Sequence, residues 1–281
     1  NSSNSSLPPS SDRPGDRERL KQARKAEQAK AESGRDEKLD DRPKGESGKP
    51  LDAKIHPYPL RKPPAEPVSR RLYRNDGNGK FTDVTVGAGV GADLFGTAAV
   101  AADYDNDGFV DLLVTGYGRA ILYRNKGNGT FEDVTAKAGL KIPRWSIGAA
   151  WLDYNRGGCV DLFVGRYVKF DPTYRYYYAA DNYPGPMDYE GDTNLLFRNN
   201  CNGTFTDVSR ESGIAAFTGR AMGVTAADFD GDGYPDIYVA NDKTENFLFH
   251  NQRDGTFREI ATAAGVAFGQ SGESTSAMGP V

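Results

Sequence analysis

Along residues 67–281, apolar and polar positions alternate in short runs, and the runs recur. Four segments align without gaps: RLYRNDGNGKFTDVT from Arg71, ILYRNKGNGTFEDVT from Ile121, LLFRNNCNGTFTDVS from Leu195 and FLFHNQRDGTFREIA from Phe247. Each predicts a β-hairpin. An apolar-aromatic strand such as Leu122–Tyr123 enters a polar Asn/Gly turn, and a second strand alternates from Phe131 to Val134. Between the hairpins a second element recurs as TAAVAADYDNDGFVDLLVTG, IGAAWLDYNRGGCVDLFVGR and GVTAADFDGDGYPDIYVAND. It reads as a strand of small residues, an acidic loop and a strand of β-branched and aromatic residues. Asp103 and Asp153 are 50 residues apart, Asp153 and Asp228 are 75, so the second unit carries an insertion of about 25 residues. Four short strands in roughly 50 residues is the period of a propeller blade. The expected fold is therefore all-β, a β-propeller of four-stranded blades. Its Ala-rich first strands, Thr97 to Ala102 and Gly223 to Ala227, suit a crowded axis. A sandwich would not need a repeating sequence.

The overall apolar fraction, 37%, is low for a chain of 281 residues, and the first 66 account for it. They hold almost no large apolar side chain to offset the entropy of ordering, so residues 1–66 are expected to form a disordered charged tail ahead of blades spanning 67–281. Arg17 to Glu32 has helical composition but no apolar stripe to dock it. The tail carries 15 Lys/Arg and 12 Asp/Glu, a net +3, which leaves the rest at −7. That acidity argues against nucleic acid as a partner. No run of 18 apolar residues exists to span a membrane, and no apolar leader opens the chain, whose numbering starts either after cleavage or inside a longer precursor.

The acidic loops carry the chemistry. Asp103, Asp105, Asp107, Gly108 and Asp111 follow the pattern D-x-D-x-D-G-x-x-D, and Asp228, Asp230, Asp232, Gly233 and Asp236 repeat it. Calcium takes six to eight oxygens at flexible distances, and alternating carboxylates on a curling loop present theirs to one point. Glycine at position six permits the sharp turn, and the backbone carbonyls of Phe109 and Tyr234 at position seven can join the shell. Without a cation, four carboxylates at one point repel one another. The middle loop departs from the pattern: Asp153 and Asp161 remain, but position three is Asn155, position five is Gly157 and Arg156 lies between them. It is expected to hold calcium weakly or to be an empty turn. The loops are not EF-hands, since position twelve lacks Glu and strands flank them.

These motifs resemble the FG-GAP and VCBS repeat proteins, whose propellers include the head of integrin α chains. LYRN-x-GNGTF-x-DVT, AADFDGDGYPDIYVAND and GPMDYEGDTNLLFRNN are most similar to the cartilage acidic protein family, whose members often carry an ASPIC/UnbV domain. The resemblance covers about residues 71–281. It implies calcium as cofactor, held by Asp103, Asp105, Asp107 and Asp111 and by Asp228, Asp230, Asp232 and Asp236. The chain stops at Val281, where a further acidic loop is due, so the propeller is expected to be incomplete in this chain, with edges for other blades or another copy to cover.

No nucleophile elbow, phosphate loop or HExxH helix is present, and the two histidines are His56 and His250. A binding module rather than an enzyme is expected. The insertion, residues 166–190, holds seven of the fifteen tyrosines. In an antiparallel meander it joins strands at the end remote from the acidic loops. Tyr174, Tyr176, Tyr177, Tyr178 and Tyr183 form the candidate ligand surface, because Tyr gives broad amphipathic contact at little entropic cost. Packing of these rings onto their own blade is the alternative. The expected function is a calcium-binding extracellular module for adhesion or protein–protein interaction, secreted or periplasmic; the alternative is a polysaccharide-binding or polysaccharide-active module. Partners are thus an extracellular protein or a glycan. Cys159 and Cys201 lack zinc or redox spacing; free thiols are expected, with a disulfide left open.

Overall fold

The structure, a computed structural model, describes residues 70–171, 185–274 and 276. The chain divides into two units, Asn1–Leu60 and Arg61–Val281, and all described residues belong to the second. The charged tail expected over residues 1–66 lies outside the described residues, as do Tyr174, Tyr176, Tyr177, Tyr178 and Tyr183.

The second unit is all-β and built from repeated antiparallel blades. Strands β1 (Tyr73–Gly77) and β2 (Lys80–Asp83) pair as a separate hairpin, followed by a helical turn, Thr85–Ala88. Blade I comprises β3 (Gly96–Ala102), β4 (Asp111–Gly118), β5 (Ile121–Asn125) and β6 (Phe131–Asp133). Blade II comprises β7 (Arg144–Leu152), β8 (Asp161–Arg166), β10 (Leu195–Asn199) and β11 (Phe205–Asp207). Short β9 (Asp192–Thr193) precedes β10 and pairs with β12 (Thr218–Gly219). Blade III comprises β13 (Ala221–Ala227), β14 (Asp236–Asn241), β15 (Phe247–Asn251) and β16 (Phe257–Glu259). Within each blade, strands pair in sequence order, as in a meander. Two further pairs, Tyr117↔Trp145 and Gly118↔Arg144, join β4 of blade I to β7 of blade II.

The period of two explains why the middle strands read as continuous apolar runs. Leu162 and Val164 enter the core between blades I and II, whereas Phe163 enters the core between II and III. Leu195 and Phe197 divide from Leu196 in the same way, and Leu122 from Ile121 and Tyr123. Blades I and II are therefore apolar on both faces and need a neighbour on each side, the packing logic of a propeller. The first strands pack on one another: β7 contacts both β3 and β13. Small residues are required there. A Cβ on Gly148 would lie 2.9 Å from Val224 Cγ2, and on the adjoining second strand β8 one on Gly165 would lie 2.9 Å from Ala221 Cβ.

This topology places the three acidic loops, which join first and second strands, at the same end of the blades as the hairpin turns, which join third and fourth strands. The insertion between β8 and β10 leaves from the opposite end.

Candidate metal centres in the acidic loops

All three loops fold by one hydrogen-bond scheme, and carboxylates at positions one and nine hold it. Asp103 accepts the N–H groups of Asp107 (3.0 Å) and Gly108 (2.8 Å). Asp153 accepts those of Gly157 and Gly158, and Asp228 those of Asp232 and Gly233. At position nine, Asp111 accepts the N–H of Tyr104 on one oxygen and of Asn125 on the other. Asp161 does the same with Tyr154 and Asn199, and Asp236 with Phe229 and Asn251. Position nine thus ties each loop to the hairpin of its own blade. Positions four and six take the left-handed conformation: Asn106, Arg156 and Gly231 at φ 55°, 58° and 75°, Gly108, Gly158 and Gly233 at 89°, 81° and 88°. Glycine at six removes the steric cost of that turn.

A hairpin Asn then reaches the neighbouring blade. Asn199 donates to the carbonyl of Tyr104 in loop I (2.8 Å), and Asn251 donates to that of Tyr154 in loop II (2.9 Å). Loops touch directly as well: Asn106 donates to the Gly158 carbonyl (3.2 Å), and the Arg156 guanidinium sits 5.3 Å from the Tyr234 ring centre. Arg156 therefore spends its charge on the next blade's ring rather than inside its own loop.

Carboxylates converge in loops I and III. Asp103, Asp105 and Asp111 each offer an oxygen within 4.8 Å of the others, as do Asp228, Asp230 and Asp236. Among the described residues no such group forms around Asp153. Asp105 Oδ1 is buried without a hydrogen-bond partner, an arrangement a cation would resolve. Burial pushes the Asp111 carboxyl up to about 6, helped by the charges of Asp105 and Asp107. Burial likewise raises Asp161 to about 7 and raises Asp236. Carboxylates that resist ionisation gain most from a nearby positive charge. The converging donors of Asp103, Asp105 and Asp111 and of Asp228, Asp230 and Asp236 are all oxygen, so the residues of loops I and III fit calcium.

The structure separates roles that one sequence pattern merges. Position nine is at most 2% exposed and each of its oxygens already accepts a backbone N–H, so Asp111, Asp161 and Asp236 build the loop whether or not they also ligate. Positions three and five vary with the blade. The hairpins also supply protein cations that the motif does not reveal. Arg124 ion-pairs with both Asp105 and Asp107, and Arg253 with Asp232 at 2.7 Å. In blade III the residue equivalent to Arg124 is His250. The Gln252 amide donates to its Nδ1 (2.6 Å), which leaves Nε2 to donate to Asp230 Oδ2 (2.8 Å) and holds Asp230 below the usual carboxylate range. Phe109 and Tyr234, expected to lend carbonyls, also present their rings: Phe109 lies over Gly127 of its hairpin turn, and Tyr234 stacks under Arg156.

One sequence expectation is overturned. Cys159 and Cys201 are not free thiols but a disulfide, with Cα atoms 5.8 Å apart. Forty-two residues separate them in the chain, but the blade places position seven of its acidic loop beside its hairpin turn.

The opposite end carries a different feature. Tyr117, Trp145, Tyr167, Phe170 and Tyr189 form a cluster of ring contacts with centroids 5.2–5.8 Å apart, and Tyr117 and Phe170 stay exposed. Tyr167 donates to Asp242 of blade III (2.8 Å), and burial raises its hydroxyl pKa.

The FG-GAP-like repeat matches four segments in two overlapping pairs, residues 66–114 with 103–164 and residues 178–239 with 228–279. The chain belongs to this repeat family. Among curated proteins it is similar to cartilage acidic protein 1 of Homo sapiens, 42% identical over 60 residues, which is 21% of this chain and 9% of that protein. The Xenopus tropicalis protein of the same name is 36% identical over 78 residues, 27% of this chain and 12% of its own length. The match thus spans about a tenth of these relatives. A solved structure described as an Agrocybe aegerita lectin recognising non-reducing terminal N-acetylglucosamine aligns over 68% of this chain and 60% of its own. Its identity is 20% and its TM-score 0.28, too distant to bear on the fold.

Proposed function

We propose that these blades form a calcium-stabilised extracellular interaction module, in which loops I and III each hold one cation and the opposite end presents the partner surface. The convergence of Asp103, Asp105 and Asp111, and of Asp228, Asp230 and Asp236, supports this most directly, because loop II keeps the fold without such convergence. Calcium, when bound, supplies a divalent charge that offsets carboxylate repulsion and fixes the loop. Asp105 would turn its unpartnered Oδ1 to it while its other oxygen and Asp107 stay paired with Arg124, Asp230 and Asp232 share themselves with His250 and Arg253, and positions one and nine shape the cradle. The disulfide supports a location outside the reducing cytoplasm. No helix among the described residues is long and apolar enough to cross a membrane.

The partner surface in this reading is the aromatic cluster at Tyr117, Trp145 and Phe170 with the insertion it borders. A protein partner fits its exposed rings and the adjoining Arg144–Asp192 ion pair. A glycan is the second reading, favoured by the exposed rings of Tyr117 and Phe170, on which a sugar face can stack. No catalytic step is assigned. Thermal unfolding in millimolar calcium against chelator tests the module. A site at a hundred times its Kd adds about 2.7 kcal/mol, so chelation should lower Tm by roughly 5–10 °C per filled site in a domain of this size. An unchanged Tm would sink the calcium reading. Binding of a glycan array with no retained protein partner would favour the second reading of the surface.

A further inference from the structure

The third residue of the hairpin turn faces loop position seven in blades I and II and reaches loop position five in blade III, each time with different chemistry. In blade I the Phe109 ring covers Gly127 so closely that a Cβ there would lie 2.5 Å from the ring. In blade II the same two positions are Cys159 and Cys201, joined covalently. In blade III the turn position is Arg253, whose Nε donates to Asp232 inside the loop.

The turn position is left-handed in all three, at φ 72° for Gly127, 57° for Cys201 and 64° for Arg253. Glycine suits that conformation, and the hairpin at Gly77 uses it too, at 83°. A residue with a Cβ is held there against its preference, and such an outlier points to a role for the side chain itself. The role of Arg253 is visible in its ion pair. Cys201 contributes only the bond to Cys159.

That bond appears in the one loop that has lost its cation chemistry. Loop II has Asn155 and Gly157 where the others have aspartates, and among the described residues no group of three potential ligands forms around Asp153. Nevertheless its backbone follows the same hydrogen-bond scheme, and it carries contacts in both directions: Asn106 of loop I onto Gly158, and Arg156 onto Tyr234 of loop III. A slack loop II would loosen both neighbours.

We propose that the Cys159–Cys201 disulfide takes the place of a divalent cation in blade II, fastening the acidic loop to its hairpin turn so that this loop's order depends on the redox state and not on metal. The inference rests on the reading of loops I and III as cation sites. Placing a covalent tie at the middle loop gives a series of three linked loops whose middle member holds when calcium falls.

Hydrogen exchange resolved by segment tests this in the wild-type chain. With TCEP, and full reduction verified by thiol alkylation, amides of 153–161 and 200–204 should exchange at least about tenfold faster, whereas chelator alone should leave them within about twofold. Segments 103–111 and 228–236 should respond to chelator. Unchanged exchange in loop II after complete reduction would overturn the proposal, as would a loop II that loosens on chelation with the disulfide intact. Insensitivity of loops I and III to chelator would overturn the cation reading alone, because the TCEP arm reads the staple by itself. A second variant gives blade II the chemistry of blade I: Asn155→Asp, Arg156→Asn, Gly157→Asp and Cys159→Phe make the loop identical to loop I, and Cys201→Gly restores its turn. It should bind one more equivalent of calcium than wild type and make 153–161 sensitive to chelator. Absence of the extra equivalent in a folded variant would contradict the exchange of one tie for the other.

Discussion

Asp161 separates building a loop from binding a metal, because it does the first in a loop that lacks the donors for the second. Its two oxygens accept the N–H groups of Tyr154 and Asn199, and it is 1% exposed. Asp161→Ala would leave both donors buried without acceptors, and each such loss costs about 1–3 kcal/mol. We expect destabilisation of roughly 2–5 kcal/mol in urea unfolding with no change in calcium stoichiometry. A cost near zero would show that water replaces the carboxylate freely. The motif D-x-D-x-D-G-x-x-D picks out carboxylates that the fold brings together in loops I and III but merges these roles, since a pattern of residue types does not say which oxygens are already engaged. The partners of Asp105 and Asp107 were hidden for a similar reason. Arg124 lies in the hairpin repeat, where its alignment with Arg74 and Arg198 made it look like part of the turn.

Among the elements, the hairpins and first strands were readable because their signals are local. The four predicted hairpins are β1–β2, β5–β6, β10–β11 and β15–β16, each with its turn at the expected Asn/Gly run. Alternation of Leu162, Phe163 and Val164 between two cores was less readable, since a strand buried on both faces shows no alternation in its sequence. The helical turns after the hairpins, Thr85–Ala88 and Ala261–Ala264, went unpredicted because four residues are too few to show a period. The disulfide was missed because cysteine spacing says nothing about which loops a blade brings together. Its closure of a 42-residue separation is worth about 4 kcal/mol on the chain-entropy account. Glycines of the first strands carry a separate expectation. A Cβ at Gly148 meets both Val224 Cγ2 at 2.9 Å and the Val224 backbone N at 3.2 Å. Gly148→Ala should therefore cost about 1–3 kcal/mol through overpacking between blades II and III. Full stability in that variant would mean that β7 and β13 move apart easily.

At the scale of the whole second unit, three blades share one end where loops I, II and III touch in series and the other end where aromatic rings gather. In the proposed reading, stability and recognition lie at opposite ends of the same strands. Deleting residues 171–189 should abolish partner binding while leaving the chelator-sensitive melting transition nearly in place; collapse of the fold would show that the insertion packs rather than binds. The central claim is that cation binding follows the carboxylates at positions three and five of each loop. Titration calorimetry with calcium on the wild type, Asp105→Ala, Asp230→Ala and Asn155→Ala chains tests it most directly. The account expects two equivalents in the wild type, one in each aspartate variant and two in Asn155→Ala. Equal loss from all three variants, or no calcium heat in the wild type, would contradict it.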